Sequence, residues 1–543
     1  MELPYKLNTK ILLLALMGVI MVICSYFMFV YEPISLIIKK LLSLETGTLF
    51  FYLWQDPPYK IYINVNIFSV TNQEKFTRGE EKLALQEVGP YCFQEILLNT
   101  NVTFHPNGTV SYVPVRSLKF IRERSVGDIN IDRVVSPNIP LVGISAMLRD
   151  SSMFTNLALT MISNTANSKS FVNVTVHDYL FGYDDLLVKL ANTALPTWIN
   201  FDKFGILDRI MALENASNIV TITSDHVLAK PTNPLYAAED LKRDFYIQEY
   251  NGSPGLRQWG YEDTEGNETC SSNSKCNFIG GGFDGTLFPR DLTLDQGMLL
   301  YRRAFCRPVP AVPVREVIMN GYEGVEYAVK KDFLYEPSAN PDNACYCKEE
   351  GDCLPRGIVS IAPCYYDIPI TLSQPHFYNA DPSLLEQVTG LLPNRSKHDV
   401  NFTLHKQLGL PIQANLRIQV NLDVGETKYN AKTTIFNNLH LPLCWLELQV
   451  DEVPLLVNVL ITLAFVLAPI SAVILKYCLV IFGAAMISCS ALLMLSSSEI
   501  VAENNLEALP FSRFSLRRSS EYKPIPVSSP QQYLRQNMRR ISK

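Results

Sequence analysis

Four cysteines, Cys345, Cys347, Cys353 and Cys364, fall within the twenty residues CYCKEEGDCLPRGIVSIAPC. Two chemistries use such a cluster. Zinc binding needs short paired knuckles or a histidine at ligand spacing, and the stretch has neither. In an oxidising compartment Cys347 and Cys353, which enclose only the polar loop KEEGD with Gly351 to reverse the chain, read as a small disulfide hairpin. The other two then need partners elsewhere, and Cys276 and Cys306 lie upstream. The choice turns on which side of a membrane the stretch occupies.

Catalytic patterns are thin. Gly143-Ile144-Ser145 lacks the closing glycine of a nucleophile elbow. GGGFDG at 280–285 offers backbone amides but no following Lys-Ser/Thr, so it reads as a loop turn, not a phosphate cradle. The seven histidines, His177, His376, His398 and His405 among them, have no metal-ligand spacing. The expectation is a protein that is not an enzyme and carries neither cofactor nor metal.

The elements that position these residues are set by two apolar runs. Ile11 to Val30 is uncharged and long enough to cross a bilayer as a helix. It exceeds a usual signal-peptide core and no small-x-small cleavage site follows, so it reads as an uncleaved anchor. Val453 to Leu495, interrupted by Pro469 and Lys476, would be about 64 Å long as one straight helix, twice the hydrocarbon thickness. We read the span as Tyr477 to Leu495, with the first half belonging to the folded domain. Residues 496–543 hold eight basic and four acidic residues, the flank that stays cytoplasmic. Asn101, Asn107, Asn173, Asn215, Asn251, Asn267, Asn394 and Asn401 each open a glycosylation triplet, all between the two runs. The organisation expected is a cytoplasmic N-terminus (1–10), a span (11–30), a glycosylated, disulfide-bonded extracellular domain (31–476), a second span (477–495) and a basic cytoplasmic tail (496–543). The cysteine cluster is then in an oxidising space. A net charge of −6 excludes a nucleic-acid footprint.

Between the runs, alternation predicts strands at Tyr59–Val70, Tyr91–Leu98 (within Leu83–Leu98, after a break at Val88-Gly89-Pro90), Leu118–Arg124, Gly324–Lys330, Gly357–Ile361, Leu416–Val424 and Leu441–Val450. Asn107-Gly108 predicts a hairpin, and Pro33–Leu44 a short amphipathic helix. Helical periodicity covers Ile144–Asn167, Asp178–Leu190 and Phe204–Leu213. The fold class expected is α+β: a largely antiparallel, barrel-like β core with a helical cap at about 144–213 and one transmembrane helix at each end.

The stretches Gly89-Pro90-Tyr91, LFGYDDLL (180–187), FDGTLFP (283–289), the cysteine cluster, PHFYNADP (375–382), PIQANLRIQVNL (411–422) and LPLCWLE (441–447) resemble the class B scavenger receptor family, in order along the whole ectodomain. That family takes in fatty-acid translocase, the high-density-lipoprotein receptor, a lysosomal integral membrane protein and the sensory-neuron membrane proteins. The resemblance implies disulfides Cys276–Cys345, Cys306–Cys364 and Cys347–Cys353, and a hydrophobic tunnel through the β core. It also implies ligand binding at the helical cap, for which Arg149 and Lys169 are the candidates. Cys92, Cys270 and Cys444 are left over, and a Cys92–Cys444 disulfide is the expectation for two of them. The function implied is a cell-surface receptor that binds lipoproteins or lipids and takes up or transfers sterol esters, fatty acids or carotenoids. A recognition receptor for apoptotic cells or microbes and a sensory co-receptor for apolar odorants are the alternatives. Tyr522-Lys523-Pro524-Ile525 has the tyrosine-x-x-hydrophobic form that engages an endocytic adaptor. Plasma membrane with endosomal cycling is the expected location, and a homo-oligomer is compatible with it.

Overall fold

The computed structural model describes residues 9–224, 244–263, 273–347 and 353–507, with side chains to residue 499. It divides into two compact units, Pro33–Ile470 and the pairing of Met1–Glu32 with Ser471–Lys543.

The smaller unit is an antiparallel helix pair. Thr9–Tyr31 lies against the Ser471-onward part of the helix Ala468–Glu507. Small residues let the backbones approach: a Cβ on Gly18 would lie 2.8 Å from the Gly483 carbonyl oxygen, and one on Gly483 2.9 Å from that of Gly18. One end of the pair is fixed by polar contacts. The Ser25 hydroxyl donates to the Lys476 carbonyl at 2.8 Å, and Lys476 Nζ lies 3.2 Å from Glu32. Leucine, isoleucine and phenylalanine cover the remaining faces and are largely exposed, as the lipid-facing surface of a span must be.

The larger unit is built on a thirteen-stranded sheet in which every strand pairing is antiparallel. At its centre β1 (Ile61–Val70) lies between His440–Val450 and β2 (Leu85–Phe104), which turns at Asn107-Gly108 into β3 (Thr109–Phe120). Gly108 takes φ +80, the left-handed geometry that a hairpin turn of this kind demands. One flank continues from β3 to Val220–Thr223 and Ile247–Tyr250. The other runs from His440–Val450 through Pro411–Asp423, Asn401–His405, Tyr322–Val329 and Val309–Met319 to Met298–Leu300.

These two edges are joined. The Ile247 N–H donates to Gly282 (2.6 Å) and the Gly281 N–H to Ile247, while the Phe283 N–H donates to Leu299 (2.7 Å) and the Tyr301 N–H to Phe283. The GGGFDG run is a loop turn, as expected, and its hydrogen bonds to both edges also close the sheet on itself. Glycine is needed here because a Cβ on Gly282 would sit 3.0 Å from two carbonyl oxygens, those of Ile279 and Leu299.

Several elements depart from expectation. Leu118–Arg124 is not a separate strand; β3 runs straight through Pro114 to Phe120. Pairing of β3 with Val220–Thr223 stops at Tyr112, so the missing N–H of Pro114 falls where that edge is open. The expected helix Ile144–Asn167 is two helices, Ile139–Met147 and Met153–Thr165, because Ser152 caps the second by accepting from the Thr155 N–H. Asp178–Leu190 breaks in the same way: Gly182 takes φ +141 and Asp185 caps Leu186–Ala194. The helix Leu49–Gln55, capped by Thr48, went unforeseen. It buries Phe51 and Trp54 against Tyr112, each such side chain contributing about 1.5–3 kcal/mol. The apolar stretch from Val453 packs into this unit, Val457 and Ile461 meeting Leu408, Leu410 and Tyr59.

Candidate functional site

The barrel interior is apolar by alternation. In the strand Pro411–Asp423, Ala414, Leu416, Ile418 and Val420 share one face, opposite Val450, Leu448, Leu446 and Cys444 of His440–Val450. β1 adds Ile61 opposite Val450 and Ile63 opposite Leu448. A ring of eleven strands is wider than the roughly eight whose side chains just fill a barrel. The space left over forms four cavities in series. The first, about 80 Å³, lies under the helical cap between Phe201, Ile206, Ile210 and Ile418. The second, about 130 Å³, shares Ile210, Phe305, Ile418 and Leu446 with the first. The third, about 100 Å³, shares Leu300, Arg302, Phe305, Leu416 and Leu448 with the second. The fourth, about 380 Å³, shares Ile61, Leu97, Pro411 and Val450 with the third. Its far wall is made of Ile38 and Leu41 from the helix Pro33–Leu41, Leu49 and Leu53 from Leu49–Gln55, and Val457, Leu460 and Ala464 from the C-terminal apolar stretch.

At the junction of the second and third cavities stand four charges, three buried and the fourth, Arg302, half-buried. Glu95 on β2 lies 3.4 Å from Arg116 on β3 and 2.9 Å from Arg302; Glu214, at the end of the helix Ile206–Glu214, lies 3.2 Å from Arg116 and 3.3 Å from Arg302. The Ala304 N–H also donates to Glu214 at 2.7 Å. Burial by itself would raise the Glu214 carboxyl, but the two guanidiniums and this N–H hold it below the usual carboxylate range. The turn that carries Ala304 and Phe305 is stapled by Cys306–Cys364. Arg302 Nε is buried without a hydrogen-bond partner, a state that costs about 1–3 kcal/mol. No local pattern in the sequence points to this quartet, whose members are separated by up to 207 residues.

The remaining expected residues are placed as follows. Disulfides join Cys276 to Cys345, Cys306 to Cys364 and Cys347 to Cys353. The expected Cys92–Cys444 bond is absent, and both thiols are free and buried. Their strands flank β1 on opposite sides, Cys92 facing Asn64 and Cys444 facing Ile67. That puts two strand spacings, roughly 10 Å, between them, beyond the Cα separation a disulfide spans. Asn101, Asn107, Asn173, Asn215, Asn251 and Asn394 are exposed and Asn401 is half-buried. Asn267, Cys270, Tyr522 and Ile525 lie outside the described residues. Arg149 turns inward: its Nη1 is 3.2 Å from Asp423, whose other oxygen is 3.3 Å from His440 Nδ1. Lys169 is exposed just before the strand Phe171–Thr175 and makes no ion pair among the described residues. Phe154 and Met161, on the nearby cap helix, are 83% and 70% exposed.

His376 of PHFYNADP and His398 form a buried histidine stack outside these four cavities. His376 and His398 lie parallel at 4.4 Å. His376 Nε2 bonds Glu87 at 2.7 Å, and its Nδ1 accepts from the Leu392 N–H. His398 Nδ1 accepts from the Asn394 N–H. Burial, then the neighbouring His376, pushes His398 down to about 4.

A closed antiparallel sheet together with two apolar helices near the ends of the chain is the architecture of a two-span membrane protein with a β-rich ectodomain. Comparison with known proteins agrees: the family model described as the CD36 family matches residues 12–494, and the chain belongs to that family. Scavenger receptor class B member 1 of Bos taurus is 28% identical over 437 residues, covering 80% of this chain and 78% of that protein. Lysosome membrane protein 2 of Mus musculus and of Homo sapiens are each 28% identical, over 82% of this chain and 85% of theirs. The protein is thus a two-span membrane protein of the scavenger-receptor class, and not an enzyme.

Proposed function

We propose that this chain is a cell-surface receptor that binds lipoproteins or lipid ligands at its helical cap and passes their lipids, sterol esters, fatty acids or carotenoids, through the barrel to the bilayer. The observation that carries the reading is the series of four apolar cavities with shared walls, running from the cap helices to the helix Pro33–Leu41 and the stretch from Val453. Lipid transfer through water is slow because each molecule must expose its apolar surface, and a walled apolar route removes that barrier. In this reading residues 11–30 and 477–495 cross the plasma membrane, both termini are cytoplasmic, and Tyr522–Ile525 engages an endocytic adaptor. Lys169, with the exposed Phe154 and Met161, contacts the particle, whereas Arg149 is held by Asp423.

The test uses cells expressing the full chain, given lipoprotein with separately labelled core lipid and protein coat. Entry of lipid without coat is the expected result. Entry of both together, or of neither, removes the conduit and favours an engulfment receptor. Lys169→Glu should weaken binding of an anionic lipoprotein severalfold at normal surface level. Unchanged binding would remove Lys169 from the contact.

A further inference from the structure

We propose that Arg302 is a selectivity point inside the barrel, where the uncharged carbonyl oxygen of an acyl ester is bound in preference to a free carboxylate. The inference rests on the conduit reading and adds to it a ligand chemistry and a residue.

Arg302 lines both cavities at their junction, so material moving between them passes its side chain. Its Nη2 is shared by Glu95 and Glu214 and its Nε is closed off without an acceptor, so the remaining donor of the guanidinium is Nη1, which bonds no described residue. Its side chain keeps 18% of its surface open and lines both cavities. The junction thus holds an uncommitted donor in Nη1, with the Tyr301 hydroxyl buried without a partner on the wall of the third cavity. The charge around the guanidinium decides what Nη1 takes. Arg116 and Arg302 are balanced by Glu95 and Glu214, and Asp284, 5% exposed on the wall of the third cavity, adds a further negative charge. Arg417, at the far side of the second cavity, is already paired with Glu447 at 2.7 Å. An incoming carboxylate would enter a desolvated site with no free counter-ion. An ester carbonyl needs only the donor, and its chains lie on Leu300, Phe305, Leu416 and Leu448 to either side.

The test compares three ligands of one chain length, methyl palmitate, palmitate and hexadecane. Each displaces a neutral fluorescent hydrocarbon from the full-length protein in nanodiscs, with affinities referenced to partition into empty nanodiscs. The wild type should favour the ester at least tenfold over both others. Arg302→Lys, which loses the guanidinium and its Nη1 donor but keeps the charge, should bring the ester down to hexadecane without changing hexadecane. Glu95→Gln, which leaves the junction more positive, should strengthen palmitate at least tenfold. An ester advantage that is absent, or that survives in Arg302→Lys, overturns the proposal and leaves the conduit standing. An equal loss of all three ligands in Arg302→Lys also overturns it, since that is the signature of packing. If Arg302→Lys does not fold, the palmitate gain in Glu95→Gln decides alone. Displacement by none of the three in the wild type would defeat the conduit reading itself.

Discussion

His398 refuses a proton that the unfolded chain accepts. Its ring is 3% exposed, and burial together with the stacked His376 depresses it to about 4, against about 6.5 unfolded. Between those values the unfolded state binds more protons, so stability falls as pH drops through that window. The loss from this residue should reach about 2 kcal/mol by pH 5. His405 and His440 are depressed by burial in the same direction. The melting temperature of the purified protein should therefore drop from pH 7.5 to pH 5, and His398→Gln should flatten that drop. An unchanged slope in the variant would assign the acid sensitivity elsewhere. The two buried thiols offer a second residue-scale test. The thiolate is the reactive species, and burial pushes Cys444 up to about 12. Cys92 and Cys444 should resist a maleimide in the native protein and react fully once denatured without reductant. Peptide mapping that finds them cross-linked would contradict the strand order around β1.

Among the elements, closure of the barrel depends on Gly281–Phe283. Gly282→Val places branched carbon where even a Cβ meets two carbonyl oxygens at 3.0 Å, and should destabilise the protein by about 1–3 kcal/mol, read as a lower melting temperature. A neutral result would mean that the edges are held by side chains alone. What the sequence disclosed follows the range of the interactions. The strand Pro411–Asp423 was legible from Leu416 onward, where Leu416, Ile418 and Val420 alternate with polar residues, and alternation is a local property; its first five residues were not read as strand. The joints were less so: Ser152 and Asp185 are capping residues, yet the runs around them carry helical periodicity that hides the breaks. GGGFDG reads as a turn and nothing more because its hydrogen-bonding partners, Ile247 and Leu299, lie on two strands that only the closed ring brings together. The charge quartet was illegible for the same reason, its members coming from β2, β3, the end of a cap helix and the turn after a distant strand.

For the whole molecule, buried charges inside an apolar barrel are informative because removing one partner of such a set leaves an uncompensated charge. Their place where the second and third cavities meet suits the proposed passage, which would have to be both open and selective. The junction is also where the passage is easiest to close. Leu416 lies on the wall shared by the second and third cavities, opposite Leu448 on the neighbouring strand. The most direct measurement is therefore transfer of labelled core lipid from bound lipoprotein into cells expressing Leu416→Trp, with surface level and particle binding measured in parallel. A passage through the barrel predicts at least a tenfold fall in lipid transfer with particle binding unchanged. Transfer at the wild-type rate through that variant, with the protein folded and at the surface, would contradict it.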